Sequence, residues 1–145
     1  MKPILLLVED DPTSLAFLKA ATEVLAVDVE SAASMQAALA LAGDGRHAAW
    51  LIDAHLPDGS GVALLRRLRA LGLRTPALAH TAAREPAELH HLRDAGFDTA
   101  VAKPLSATDW QAAVSRLLRG QAGDRHRAPT QADGMPPAAD TRPSS

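Results

Sequence analysis

The chain has 145 residues, 47% of them apolar and 22% charged, with a formal net charge of −2 and no cysteine. That length suits one domain with an appendage and allows a real hydrophobic core. The near-neutral charge argues against a general nucleic-acid or anionic-membrane binder. The missing cysteine excludes disulfides, thiolate catalysis and cysteine-ligated zinc or iron–sulfur sites.

Met1-Lys2-Pro3 leads into the apolar run Ile4–Val8, which ends in Glu9-Asp10-Asp11 with no small-residue cleavage site after it. This reads as a strand buried on both faces rather than a signal peptide. Asp11-Pro12 then caps and opens a first helix, with Leu15, Leu18 and Leu25 at helical spacing. Val27–Ala32 is a second strand, and Ser34 caps an alanine-rich helix that Gly43-Asp44-Gly45 stops. A third strand, Ala48–Ile52, ends at Asp53.

After the loop His55-Leu56-Pro57-Asp58-Gly59 comes a helix with Val62, Leu65 and Leu68 on one face and Arg66, Arg67 and Arg69 on the outer one; Gly72 ends it. Pro76–Thr81 is the fourth strand, 85–95 the fourth helix and Thr99–Ala102 the fifth strand. Ser106 with Asp109 forms a capping box for a last helix whose stripe is Trp110, Ala113, Val114, Leu117 and Leu118. From Gly120 the only apolar residues are alanines and Met135, interrupted by prolines. Nothing there offsets the entropy of ordering, so 120–145 reads as a disordered tail behind a folded unit of 1–119. No apolar run approaches the roughly 18 residues of a membrane span, and the expected location is the cytoplasm.

Strict strand–helix alternation implies right-handed crossovers and a doubly wound α/β fold, a five-stranded parallel sheet with five helices covering both faces. Ligands of such sheets bind beyond the carboxyl ends of the strands. Those ends carry Glu9-Asp10-Asp11, Asp53, Thr81 and Lys103-Pro104. Carboxylates that converge in this way need a cation, for which Mg²⁺ with oxygen ligands is the natural choice. A carboxylate beside it can act as a nucleophile toward phosphorus, with Lys103 and Thr81 as further partners for the phosphoryl oxygens. Lys103 is one of three lysines against 12 arginines, which fits a site that wants a compact point charge.

Val8-Glu9-Asp10-Asp11-Pro12, Asp53-Ala54-His55-Leu56-Pro57-Asp58-Gly59, Thr81-Ala82 and Ala102-Lys103-Pro104 stand in this order, each after an expected strand. Together they resemble a response-regulator receiver domain of two-component signalling, over residues 3–118. The resemblance implies a flavodoxin-like strand order 2-1-3-4-5, with Asp53 as phosphoacceptor. It implies Mg²⁺ held by Asp10, Asp53 and the His55 backbone carbonyl, with Glu9 acting through water. Thr81 would be the switch hydroxyl and Lys103 the phosphoryl-sensing lysine, followed by a cis peptide to Pro104.

The implied donor is a sensor histidine kinase or histidine phosphotransfer protein. The implied output is a protein partner on the helix 4–strand 5–helix 5 face, with no direct contact to nucleic acid or membrane. The domain would catalyse its own phosphorylation and slow dephosphorylation, with no separate output enzyme after residue 119.

Asp11 is read first as a helix cap. The histidines lack HExxH-type spacing and are expected to be solvated or partly packed, apart from His55 beside the phosphoryl position. Ala100 stands where receivers usually carry an aromatic residue. That departure supports the rival reading, a phosphorylation-independent interaction domain on the same fold. A nucleotide- or flavin-binding domain of this topology is disfavoured, because the first loop is acidic and lacks a glycine-rich cradle.

Overall fold

The computed structural model describes residues 2–103 and 105–124. The expected cis peptide before Pro104 and the tail from residue 125 onward lie outside them. Mostly apolar runs too short for helices form the main strands β1 (Ile4–Val8), β3 (Ala49–Asp53), β6 (Ala77–Thr81) and β7 (Thr99–Ala102), and the more polar segment Asp28–Ala32 forms the edge strand β2. They pair in parallel in the order β2-β1-β3-β6-β7. Between β3 and the next helix lies a two-residue antiparallel hairpin, β4 (His55–Leu56) with β5 (Gly59–Ser60). Without that hairpin the order is the expected 2-1-3-4-5.

The helices are α1 (Pro12–Glu23), α2 (Met35–Ala42), α3 (Gly61–Ala70), α4 (Pro86–Asp94) and α5 (Ala107–Asp124). Their starts follow the sequence signals. Asp11 accepts from Ser14 N–H at 2.8 Å, Ser34 from Ala37 N–H at 3.1 Å and Ser106 from Asp109 N–H at 3.0 Å. α5 runs through Gly120 and Gly123 to Asp124, past the expected end, because each glycine costs a helix only about 1 kcal/mol and need not stop it.

Two apolar layers sandwich the sheet. Leu6, Val8, Trp50, Ile52, Ala77 and Ala79 face α2, α3 and α4, where Leu64, Leu65, Leu68 and Leu92 meet them. On the other side Leu5, Leu7, Leu51 and Leu78 face α1 and α5, where Leu18, Trp110, Val114 and Leu117 close the layer. Arg69 departs from the outer-face reading. Its guanidinium lies 5.3 Å from the Trp50 ring centroid and donates to the Leu73 and Thr75 carbonyls at 3.1 and 2.7 Å. A long apolar stem lets an arginine reach back over the core edge while keeping its donors satisfied.

Candidate functional site

All main strands are parallel, so the ends of β1, β3, β6 and β7 open onto one edge of the sheet. Register places Val8 beside Ile52, Asp53 beside His80, and Thr81 beside Ala102. The residues at or just after these strand ends are thereby delivered to one spot. Glu9 is 1% exposed and Asp53 6%. Between them sits the Lys103 ammonium, 2.8 Å from Glu9 Oε1 and 3.2 Å from Asp53 Oδ2. Burial works against this ammonium, but the hydrogen bonds and charges of Glu9 and Asp53 outweigh it and raise its pKa.

The remaining carboxylate oxygens are held by backbone. Asp53 Oδ1 accepts from His55 N–H at 2.9 Å, and Glu9 Oε2 from Asp11 N–H at 3.0 Å. Lys103 is itself anchored by its N–H, which donates to the Thr81 carbonyl at 2.7 Å. The Thr81 side chain is buried, and its hydroxyl oxygen accepts from Ala83 N–H at 3.1 Å, which leaves the O–H as a donor. Asp10 stands exposed on the loop beside this group, and the His55 side chain is exposed as well.

Glu9, Asp53 and Lys103 are thus in direct contact and Thr81 lies at the adjoining strand end, whereas Asp10 remains on the solvent side. Asp11 caps α1. His80 stands apart from the solvated or partly packed histidines the sequence suggests. Its ring is fully buried, with Nδ1 3.7 Å from Glu9 Oε1. Desolvation, then the Lys103 charge, push its pKa down to about 4, so it is neutral near pH 7. The available signal was its place in the strand Ala77-Leu78-Ala79-His80-Thr81, one residue before a site residue. His47 is buried too, but at the opposite end of the sheet, where its Nε2 lies 2.8 Å from Glu30 Oε1.

The profile of the response regulator receiver domain matches residues 5–115. The chain belongs to that family. The receiver is 34% identical over 119 residues to the transcriptional regulatory protein PmrA of Pectobacterium parmentieri, covering 82% of this chain and 54% of that protein. It is 31% identical over 130 residues to the KDP operon transcriptional regulatory protein KdpE of Escherichia coli, covering 90% and 55%. The chain therefore spans about half the length of these curated relatives.

Among solved structures it is similar to a CheY-like response regulator receiver domain from Methanospirillum hungatei. The TM-score is 0.77 at 25% identity, over 86% of this chain and 99% of that one. A Francisella response regulator receiver domain gives the same score and identity, over 83% and 99%. No helix among the described residues is long and apolar enough to cross a membrane.

Proposed function

We propose that this receiver is a phosphorylation-dependent switch in which Asp53 accepts a phosphoryl group from a phosphohistidine. The observation that carries the reading is the Lys103 ammonium bonded at once to Glu9 and Asp53 at the buried strand ends. In the forward step an Asp53 carboxylate oxygen forms a bond to phosphorus while the phosphorus–nitrogen bond breaks. The imidazole leaves with the electron pair and takes up a proton. Water later attacks phosphorus and returns the carboxylate and inorganic phosphate.

Lys103 would hold one phosphoryl oxygen, and the Thr81 hydroxyl, which accepts from Ala83 N–H and keeps its own proton to donate, a second. Two buried carboxylates against one ammonium leave one net negative charge, and every side-chain donor atom of Glu9, Asp10 and Asp53 is a hard oxygen. This set fits Mg²⁺, which Asp10, Asp53 and the His55 backbone carbonyl would hold directly and Glu9 through water. When bound, Mg²⁺ supplies positive charge for the phosphoryl oxygens. The phosphodonor in this reading is a sensor histidine kinase or phosphotransfer protein of the cytoplasm, and the output a protein docked on the α4–β7–α5 face.

Incubation with acetyl phosphate and Mg²⁺ followed by mass measurement tests the switch. One added phosphoryl group is expected, lost in Asp53→Asn; no adduct in the wild type, or one that persists in the variant, overturns the reading. Lys103→Ala is expected to slow phosphorylation by about 100-fold, as removal of one preorganised charge partner typically does.

A second reading rests on Ala100, which is buried on β7 where an aromatic would couple the hydroxyl shift to the outer face. Under it, the domain binds its partner regardless of phosphorylation. Partner binding that is unchanged by beryllofluoride would favour that alternative.

A further inference from the structure

We infer that Glu9, Asp53 and His80 form a second cation position in this receiver, where a borderline transition-metal ion of the Zn²⁺ class takes the place of the Lys103 ammonium. Asp53 and His80 are cross-strand neighbours, and the ligand atoms of the three residues lie within 4.8 Å of one another. The position differs from the outer, all-oxygen one proposed for Mg²⁺ in using a nitrogen donor on the buried side and not using Asp10.

The imidazole is arranged as a ligand. Its Nε2 faces the Leu51 carbonyl at 3.4 Å, and a carbonyl can only accept, so the proton resides on Nε2 and the lone pair on Nδ1. Histidines that bind metals characteristically donate their second N–H to such an outer partner, which fixes the tautomer. The Trp110 ring meets the imidazole edge-on at 5.4 Å and is itself held by Nε1–H donation to Thr22 Oγ1 at 2.8 Å.

Nδ1 is fully buried and has no hydrogen-bond partner. A buried polar atom left this way is costly unless something fills its lone pair. It lies 3.7 Å from Glu9 Oε1. Ligand atoms about 2.0–2.1 Å from a tetrahedral Zn²⁺ stand about 3.3 Å apart, so little movement closes the site.

Charge points the same way. The buried carboxylate pair with its single ammonium keeps one net negative charge, which a divalent ion in the lysine's place would neutralise. Lys103 already bonds both carboxylates, at 2.8 and 3.2 Å, so ion and ammonium compete for them. Imidazole nitrogen favours Zn²⁺, Co²⁺ or Ni²⁺ over Mg²⁺, which demands oxygen ligands. Ion binding here would free Lys103 from Asp53 and tie up the carboxylate.

The test is a Zn²⁺ titration of the full chain, followed by the ¹⁵N resonances of its histidine rings and by calorimetry. One equivalent is expected to shift His80 Nδ1 before the other histidines, and a hundredfold excess of Mg²⁺ is not expected to reverse that shift. His80→Leu should weaken binding at this site by about 100-fold, since even outer-shell partners are worth about 10–100-fold. Lys103→Ala should tighten it by about tenfold or more, because the competing cation is gone.

Zn²⁺ that shifts only other histidines, or a Lys103→Ala variant that binds no tighter, overturns the proposal. Those two measurements decide it even if His80→Leu does not fold. The proposal does not rest on phosphoryl transfer, whose failure would show separately as the absence of an Asp53 adduct with acetyl phosphate and Mg²⁺.

Discussion

Gly61 governs how closely α3 approaches the strand end that carries Asp53. A Cβ there would stand 2.5 Å from the Asp53 carbonyl oxygen and 3.1 Å from both Ala54 Cα and Ile52 Cγ2. Backbone cannot yield as the tip of a side chain can, so Gly61→Ala must displace either the helix or Asp53. The expected cost is about 1–3 kcal/mol in urea unfolding, as for other overpacked sites. Phosphorylation of Asp53 by acetyl phosphate is expected to slow alongside, since the carboxylate moves against Lys103. Unchanged stability and rate would show that the loop after β3 has slack.

The same scale shows what the sequence could and could not convey. Glu9, Asp53, Thr81 and Lys103 are legible because each stands at the end of an expected strand, and strand ends of a parallel sheet converge. Their partners are not legible. A pattern of strands says nothing of which carboxylates the lysine bonds, and the structure pairs it with Glu9 and Asp53 together. His80 escapes because a lone histidine in an apolar strand reads as packing. Only the register of β6 against β3 brings it to Asp53.

Elements are tied to one another by a few buried or capping groups. Asp58, in the turn between β4 and β5, accepts from Met35 N–H at 2.7 Å and Gln36 N–H at 3.0 Å, so one loop holds the start of another helix. Those backbone donors lower its pKa, Met35 N–H first. A carboxylate with a depressed folded pKa stabilises the fold above its unfolded value of about 3.9, and that stability is lost as pH falls through the folded value. Asp58→Ala is therefore expected to unfold at lower urea at pH 7, with the gap to the wild type closing in acid. A gap that stays constant with pH would refute the charge-based account.

Across the other layer, Trp110 Nε1–H donates to Thr22 Oγ1, which in turn donates to the Leu18 carbonyl at 2.6 Å, stitching α5 to α1. Thr22→Val keeps the shape and strands a buried indole N–H, for an expected loss of about 1–3 kcal/mol at an unchanged denaturant slope. Helix starts were legible through Asp11, Ser34 and Ser106, each capping the following turn. The Asp58 link was not, because it joins residues more than 20 positions apart. The β4–β5 hairpin was missed because two-residue strands carry no periodicity.

For the whole molecule, strand–helix alternation and the handedness of parallel crossovers sufficed to foresee a parallel sheet with both faces covered, whereas its strand order followed only from the resemblance to receiver domains. Where the folded unit stops was harder to read, since composition changes at Gly120 but hydrogen bonding of α5 continues to Asp124. The core offers a sharper criterion. Among the described residues, both apolar layers are built from members between Leu5 and Leu118. If burial sets stability, a chain ending at Asp124 should unfold within about 0.5 kcal/mol of the full chain, the range of changes that remove no core contact. A cut after Leu117 exposes the end of the α5 stripe against α1 and should lower the midpoint visibly. Equal loss from both cuts would mean that residues 125–145 contribute to the fold, and the domain boundary would move accordingly.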